Sequence, residues 1–201
     1  MKKHLHYYSR KQDSPLRQQM IRARLLGREF SFLTGSGVFS KDRIDAGTLV
    51  LIDHMIIKDG WDVLDLGCGY GAVGICIAKN FTKCEVVMSD INERAARLAR
   101  RNMSLNDVQN AEARMGDSFE NISADEKFDT ILINPPRMAG REVCFRMIEE
   151  SFQHLKKNGL LQAVAKHNIG GRELSKKMKE VFGNVKEAGK KSGYRVYVSE
   201  K

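Results

Sequence analysis

The feature that most constrains this chain is a change of rhythm at Trp61. Beyond it, short apolar stretches alternate with longer segments whose apolar residues recur at helical spacing. VLDLG reads as a buried strand, and AVGICIAKN as the helix that follows it. CEVVMSD is the next strand. NERAARLARRNMSLN is the next helix, with Asn92 placed to cap it by accepting from its first free N–H groups. EARMGD is a weaker third strand and FDTILIN the most apolar one. REVCFRMIEESFQHLKK sets Cys144, Ile148, Phe152 and Leu155 on one face of a helix expected over residues 141–157. LLQAVAK supplies a fifth strand, and RELSKKMKEVFG a helix with Leu174, Met178, Val181 and Phe182 on one side. NVKEAGK and YRVYVSE close the chain as two strands joined through Lys191-Ser192-Gly193. Such alternation makes an α/β fold, a parallel sheet with helices on both faces. The last two strands have no helix between them, so they form an antiparallel hairpin and the sheet is mixed.

Ahead of Trp61, Arg22 to Leu25, Gly27 and Phe30 to Phe32 alternate apolar and polar positions around a turn, which predicts an N-terminal β-hairpin. LVLIDHMI then predicts a short helix leading into the main fold. At 201 residues the chain suits one domain with a sizeable core. No apolar run approaches the roughly 20 residues that cross a bilayer, and the basic start MKKHLHYYSRKQ lacks the apolar stretch of a signal peptide. The expectation is a cytoplasmic protein without membrane partners. Cys68, Cys76, Cys84 and Cys144 form no CxxC pair and no HExxH occurs, so reduced core thiols and no metal site are expected.

The formal charge is +9 and unevenly spread. Before Glu29 the chain carries Lys2, Lys3, Arg10, Lys11, Arg17, Arg22, Arg24 and Arg28 against Asp13 alone. Lys176, Lys177, Lys179, Lys186, Lys190, Lys191 and Arg195 repeat the bias near the other end. Basic clusters concentrate polyanions, although a solvated surface gives the same pattern.

Between the first strand and its helix lies Asp65-Leu66-Gly67-Cys68-Gly69-Tyr70-Gly71, a turn whose glycines let backbone approach a ligand closely. Gly69, Gly71 and Gly74 also match the dinucleotide GxGxxG spacing, and a ligand-free tight turn is a third reading. Acidic residues help to separate these. Asp65 sits where a carboxylate faces a cation rather than a pyrophosphate. Asp90 ends the second strand, where it can accept from ribose hydroxyls, and Asp117 ends the third, near an adenine amino group. A cofactor with an amine and an adenosine but no phosphate, S-adenosylmethionine, suits three acidic strand ends better than NAD does.

VLDLGCGYG, SDIN, the Gly116-Asp117 step and NPP, in that order, resemble class I S-adenosylmethionine-dependent methyltransferases. GVFS before the glycine turn, NPP followed by Gly140, and the terminal GYRV resemble the small-subunit ribosomal RNA guanine-N2 methyltransferases and their short single-domain relatives. The resemblance runs from about Arg28 onward. It implies a Rossmann-like seven-stranded sheet with one antiparallel strand. It implies that Gly67, Cys68 and Gly69 contact the methionine part of the cofactor, that Asp90, with Ile91 beside it, serves the ribose, and that Asp117 and Ser118 lie by the adenine. Phe39 is expected near the cofactor and the target base. The chain accordingly divides into a flexible basic segment, 1–14, and one methyltransferase domain, 15–201. Within that domain 15–50 form the hairpin and substrate-side segment and 60–201 the cofactor-binding core.

Asn134-Pro135-Pro136 carries the expected chemistry. An exocyclic amino group on a base is a poor nucleophile because its lone pair is delocalised into the ring. Acceptors for its two hydrogens, the Asn134 side-chain oxygen and the Pro135 carbonyl, aim that lone pair at a methyl donor, and the prolines stiffen the carbonyl's direction. No strong general base is required, and no GxxxxGK[ST] phosphate loop occurs. Arg137 stands where many amino methyltransferases have an aromatic residue; a guanidinium can stack on a base or grip a phosphate. Phe39 or Tyr194 can supply the aromatic face instead, and Lys166, His167 and Arg195 are expected near the same sheet edge. The preferred acceptor is guanine N2 in small-subunit ribosomal RNA. Adenine N6 and a protein glutamine amide, a non-catalytic RNA-binding or ribosome-assembly factor, and a nicotinamide oxidoreductase are the rivals.

Overall fold

The structure is a computed structural model that describes residues 9–12, 15–135 and 140–201. Its centre is β3 (Asp62–Leu66) beside β6 (Phe128–Ile133), both nearly devoid of exposed residues. Such strands pack on both faces. Val63 joins one core cluster, whereas Leu64 and Leu66 join the other. On β6, Leu132 joins the first, and Ile131 and Ile133 join the second.

β4 (Glu85–Asp90) and β5 (Ala111–Met115) extend the sheet on one side. β7 (Leu155–Lys166), β9 (Tyr194–Glu200) and β8 (Lys186–Lys191) extend it on the other. The order is β5-β4-β3-β6-β7-β9-β8, parallel except where β9 pairs antiparallel to both β7 and β8. This is the seven-stranded mixed sheet with a terminal hairpin that the sequence predicts. The lysine-rich edge strand β8 discourages edge-to-edge pairing. The chain steps from β3 out to β5 and returns to β3's other side at β6, a reversal that opens a crevice at the strands' carboxyl ends.

One face carries α1 (Ala46–His54), α2 (Ala72–Asn80) and α3 (Glu93–Leu105); the other carries α4 (Arg141–His154) and α5 (Arg172–Phe182). Asn92 caps α3 as expected, its Oδ1 accepting from Arg94 N at 2.9 Å. The predicted fourth helix overruns. It stops at His154, and Leu155, almost wholly buried, begins β7 opposite Phe128 of β6. Pairing with β6 overrides the helical spacing there. Asn158 has φ +63°, and at Gly159 an added Cβ would lie 2.9–3.2 Å from three backbone oxygens. The join therefore needs a glycine.

The N-terminal hairpin, β1 (Gln18–Leu25) with β2 (Arg28–Gly35), is held against α3 by two asparagines. Asn102, fully buried, accepts from Leu33 N at 2.7 Å and donates to the carbonyls of Leu33 and Tyr70, both at 2.9 Å. Asn106 brackets Ser31 in the same way. The helix thus serves β2's backbone as a neighbouring strand does. Upstream, Glu93 N donates to the Arg10 carbonyl and Arg94 Nη2 to the Gln12 carbonyl, each at 3.1 Å. Cys68, Cys76 and Cys84 are buried and no cysteine is disulfide-bonded. No helix among the described residues is long and apolar enough to cross a membrane.

Candidate active site

The glycine turn sits at the carboxyl end of β3, and its left-handed residues, Gly67, Gly69 and Gly71, have φ values of +78°, +58° and +92°. Gly67 N and Cys68 N both donate to the Ser89 carbonyl, at 2.8 and 3.0 Å. The turn is thereby folded over the end of β4. At Gly74 a Cβ would come within 2.4 Å of the Met88 side chain, so the close approach of α2 to the sheet uses the absence of a side chain there.

Two carboxylates lie beneath this turn. Asp65, 4% exposed, accepts from Gly74 N at 2.9 Å, and burial pushes its pKa up to about 7. Asp90 accepts from Gly69 N and from Asn92 N, each at 2.8 Å. Those bonds favour its charged form, but burial outweighs them and raises the pKa to about 6. Two N–H groups orient the carboxylate and leave lone pairs for further donors.

A cavity of about 210 Å³ opens over these strand ends. Leu66, Gly67 and Gly69 line it from β3, Ser89, Asp90 and Ile91 from β4, Gly116, Asp117 and Ser118 from β5, and Asn134 from β6. Val38 and Phe39 close it from the hairpin side, Val143, Arg146 and Met147 from α4. Ser89 Oγ is buried here without a hydrogen-bond partner among the described residues. Asp117 pairs with Arg146 at 2.7 Å and Ser118 Oγ donates to Glu150. Asp65 and Cys68 do not line the cavity. Asp65 is turned toward α2, and Cys68 is a buried thiol whose pKa burial raises further.

A second cavity, about 340 Å³, lies on the far side of Asn134. Pro135, Lys166, Tyr194, Arg141, Phe145, Glu173 and Leu174 are among its walls. Among the described residues Asn134 alone lines both cavities. His167 and Arg195 face a third, basic hollow with Lys190 and Lys191, which Tyr194 shares. There His167 Nδ1 lies 2.8 Å from Tyr197 Oη, Arg172 Nε donates to its Nε2, and Arg195 pairs with Glu187. Desolvation and the nearby Arg195 and Arg172 push the His167 pKa down, which favours the neutral ring. Pro136 and Arg137 lie outside the described residues.

Asn134 is itself held. Its Nδ2 donates to Asp45 Oδ2 at 3.2 Å and to Thr48 Oγ1 at 3.0 Å, while Asp45 caps α1 through Gly47 N and Thr48 N. Asp45 and Thr48 carry no site signal in the sequence. Asp before an apolar run does signal a cap, but nothing local shows that the cap reaches Asn134. Arg146, Met147 and Ser89 are likewise invisible as site residues until the sheet and α4 are assembled. No cluster of three or more potential metal ligands occurs among the described residues.

The family model described as Methyltransferase small domain matches residues 29–198. An uncharacterized protein of Bacillus subtilis, YbxB, is 36% identical over 199 residues, 98% of both chains. Ribosomal RNA small subunit methyltransferase C of Haemophilus influenzae is 33% identical over 165 residues, 80% of this chain and 48% of that protein. The chain thus spans about half the length of that relative. Among solved structures, a T. thermophilus 16S rRNA N2 methyltransferase in complex with AdoMet and guanosine superposes with a TM-score of 0.83. It is 26% identical, over 95% of this chain and 53% of that one.

Proposed function

The chain belongs to the Methyltransferase small domain family and is an S-adenosylmethionine-dependent class I methyltransferase, and from this we propose that its acceptor is the exocyclic N2 amino group of a guanine in small-subunit ribosomal RNA. The first cavity fits the cofactor chemically. Asp90 on the cavity wall keeps lone pairs for hydroxyl donors beyond its two backbone bonds, and Ser89 Oγ, buried without a hydrogen-bond partner among the described residues, suits a polar ligand. Asp90 would take the ribose hydroxyls, Gly67 and Gly69 the methionine part, with Cys68 behind them, and Asp117 and Ser118 the adenine side. When bound, S-adenosylmethionine supplies an electrophilic methyl group.

The observation that carries the proposal is the position of Asn134 between two cavities. An amino group entering from the second cavity meets the Asn134 oxygen and the Pro135 carbonyl, which take its two hydrogens and direct its lone pair toward the first cavity. Such preorganised acceptors also stabilise positive charge growing on nitrogen. Tyr194 offers the base an aromatic face within the second cavity, and Phe39 stands at the first. The +9 charge supports a polyanionic substrate, and the named ribosomal RNA relatives support its class.

The test uses ribosomal RNA from cells lacking the protein, S-adenosylmethionine with a labelled methyl group, and nucleoside mass spectrometry. N2-methylguanosine is the expected product. Label in N6-methyladenosine or in protein glutamine would reassign the acceptor, and no label in any acceptor would remove the catalytic reading. Asn134→Ala should lower transfer by about 100-fold or more while cofactor affinity, measured by calorimetry, stays within a few-fold.

A further inference from the structure

We propose that Asp45 and Thr48 are positioning residues that dictate which face of the Asn134 amide meets the acceptor, an inference that rests on Asn134 acting through its oxygen. An asparagine amide has two donor hydrogens on nitrogen and an oxygen that only accepts. Its two orientations are nearly the same in shape and opposite in chemistry. With Nδ2 toward the second cavity, the group would present donors to an amino group that is itself a donor, and the contact would repel.

Asp45 decides the orientation. Its Oδ2 already accepts from the Gly47 and Thr48 N–H groups, so it stands as an acceptor and the amide nitrogen faces it; the amide oxygen there would set acceptor against acceptor. Thr48 Oγ1 takes the other amide hydrogen. Both donors of Asn134 are then spent at 3.2 and 3.0 Å. Its Oδ1 accepts nothing from the described residues and is left for the site. A hydrogen bond to a carboxylate also draws electron density through the amide toward Oδ1, which strengthens it as an acceptor.

Asp45 cannot wander, because the same oxygen that accepts from Asn134 accepts from Gly47 N at 2.8 Å and Thr48 N at 3.1 Å. The start of α1 is itself wedged into the site. A Cβ on Gly47 would lie 2.9 Å from both Asp45 Oδ2 and Tyr194 Cε1. The helix N-terminus therefore contacts the aromatic wall of the second cavity on one side and orients the Asn134 amide on the other.

Three variants separate this role from a structural one. Thr48→Val is close in shape and keeps the backbone N–H but removes the acceptor. Thr48→Ser keeps the acceptor. Asp45→Ser keeps a good helix cap but is too short to reach Asn134. Thr48→Val and Asp45→Ser should each lower kcat at least tenfold, with KM for RNA and affinity for S-adenosylhomocysteine unchanged within twofold. Thr48→Ser should restore kcat to within threefold of the parent. A readout that needs no turnover is the Asn134 side-chain amide in 15N NMR spectra, identified by its loss in Asn134→Ala. Its hydrogens should exchange more than tenfold faster in Thr48→Val. Unchanged exchange or unchanged kcat overturns the proposal, as does a parallel loss of cofactor affinity or thermal stability. If the parent protein transfers no methyl group, the proposed function fails, while the amide exchange still decides whether Asp45 and Thr48 hold Asn134.

Discussion

Asp90 shows how a single residue is tuned by where the fold puts it. Gly69 N and Asn92 N hold its oxygens in place, and burial raises its pKa to about 6, close enough to neutrality to matter. In the proposed site ribose hydroxyls would donate to the ionised carboxylate; a protonated carboxyl offers fewer lone pairs and brings a competing donor. Cofactor affinity should therefore fall as pH drops through about 6, by about tenfold per unit for a single linked proton. Calorimetry with S-adenosylhomocysteine from about pH 8 to about pH 5 reads this directly. Asp90→Asn should bind weakly with a flatter profile; a parent profile flat across the range would show that the carboxylate does not take the hydroxyls. The acid's place at the end of the second strand, on a cavity wall, was legible from sequence. Its raised pKa was not, because burial depends on the glycine turn folding over β4.

Among the elements, the hairpin's attachment to α3 carries the most consequence for the site. Val38 and Phe39 reach the first cavity from the end of β2, which Asn102 and Asn106 register on α3 and which Asn92 and Arg94 tie down through the Gly37 and Ser36 carbonyls. Asn102→Leu would leave the Leu33 N–H, the Leu33 carbonyl and the Tyr70 carbonyl without that partner in a buried setting. The loss of stability should be roughly 3 kcal/mol or more, seen as a lower urea midpoint with little change in slope. Sequence periodicity located α3 and its Asn92 cap, since both arise from residues within one or two turns. It missed Asn102 and Asn106 because a polar residue inside a helical pattern looks solvated until another element's backbone is brought against it. The same limit explains Leu155. Its spacing from Cys144, Ile148 and Phe152 is helical, yet pairing with β6 claims it for a strand.

For the whole molecule, Asp65 and Asp90 make stability depend on pH. Their folded pKa values of about 7 and about 6 stand well above the ordinary 3.8. The folded chain thus keeps protons that the unfolded chain has lost. Their contribution is complete at pH values below about 4 and is lost as pH rises through about 6 to 7. Denaturant unfolding of the ligand-free protein should show this term between about pH 5 and about pH 7, and Asp65→Asn should reduce the slope. An identical slope in the variant would rule out a buried, protonated Asp65. This term is at odds with the proposed binding of ribose hydroxyls by charged Asp90, so the cofactor-bound protein should lose part of the acid preference.

The order of strands and helices, the mixed sheet, the glycine turn, the acidic strand ends and the Asn134-Pro135 step were all determined by sequence alone. Each follows from short-range sterics, side-chain period or turn chemistry that neighbouring residues impose on one another. Only the tertiary structure decided that Asp45 and Thr48, 89 and 86 residues away in the chain, orient Asn134. It also decided that Asn134 stands between two cavities, and that His167 and Arg195 face a separate basic hollow. Those contacts depend on how α1 packs against β7, β9 and β8, elements far from it in the chain, and such long-range packing leaves no periodic trace in the sequence.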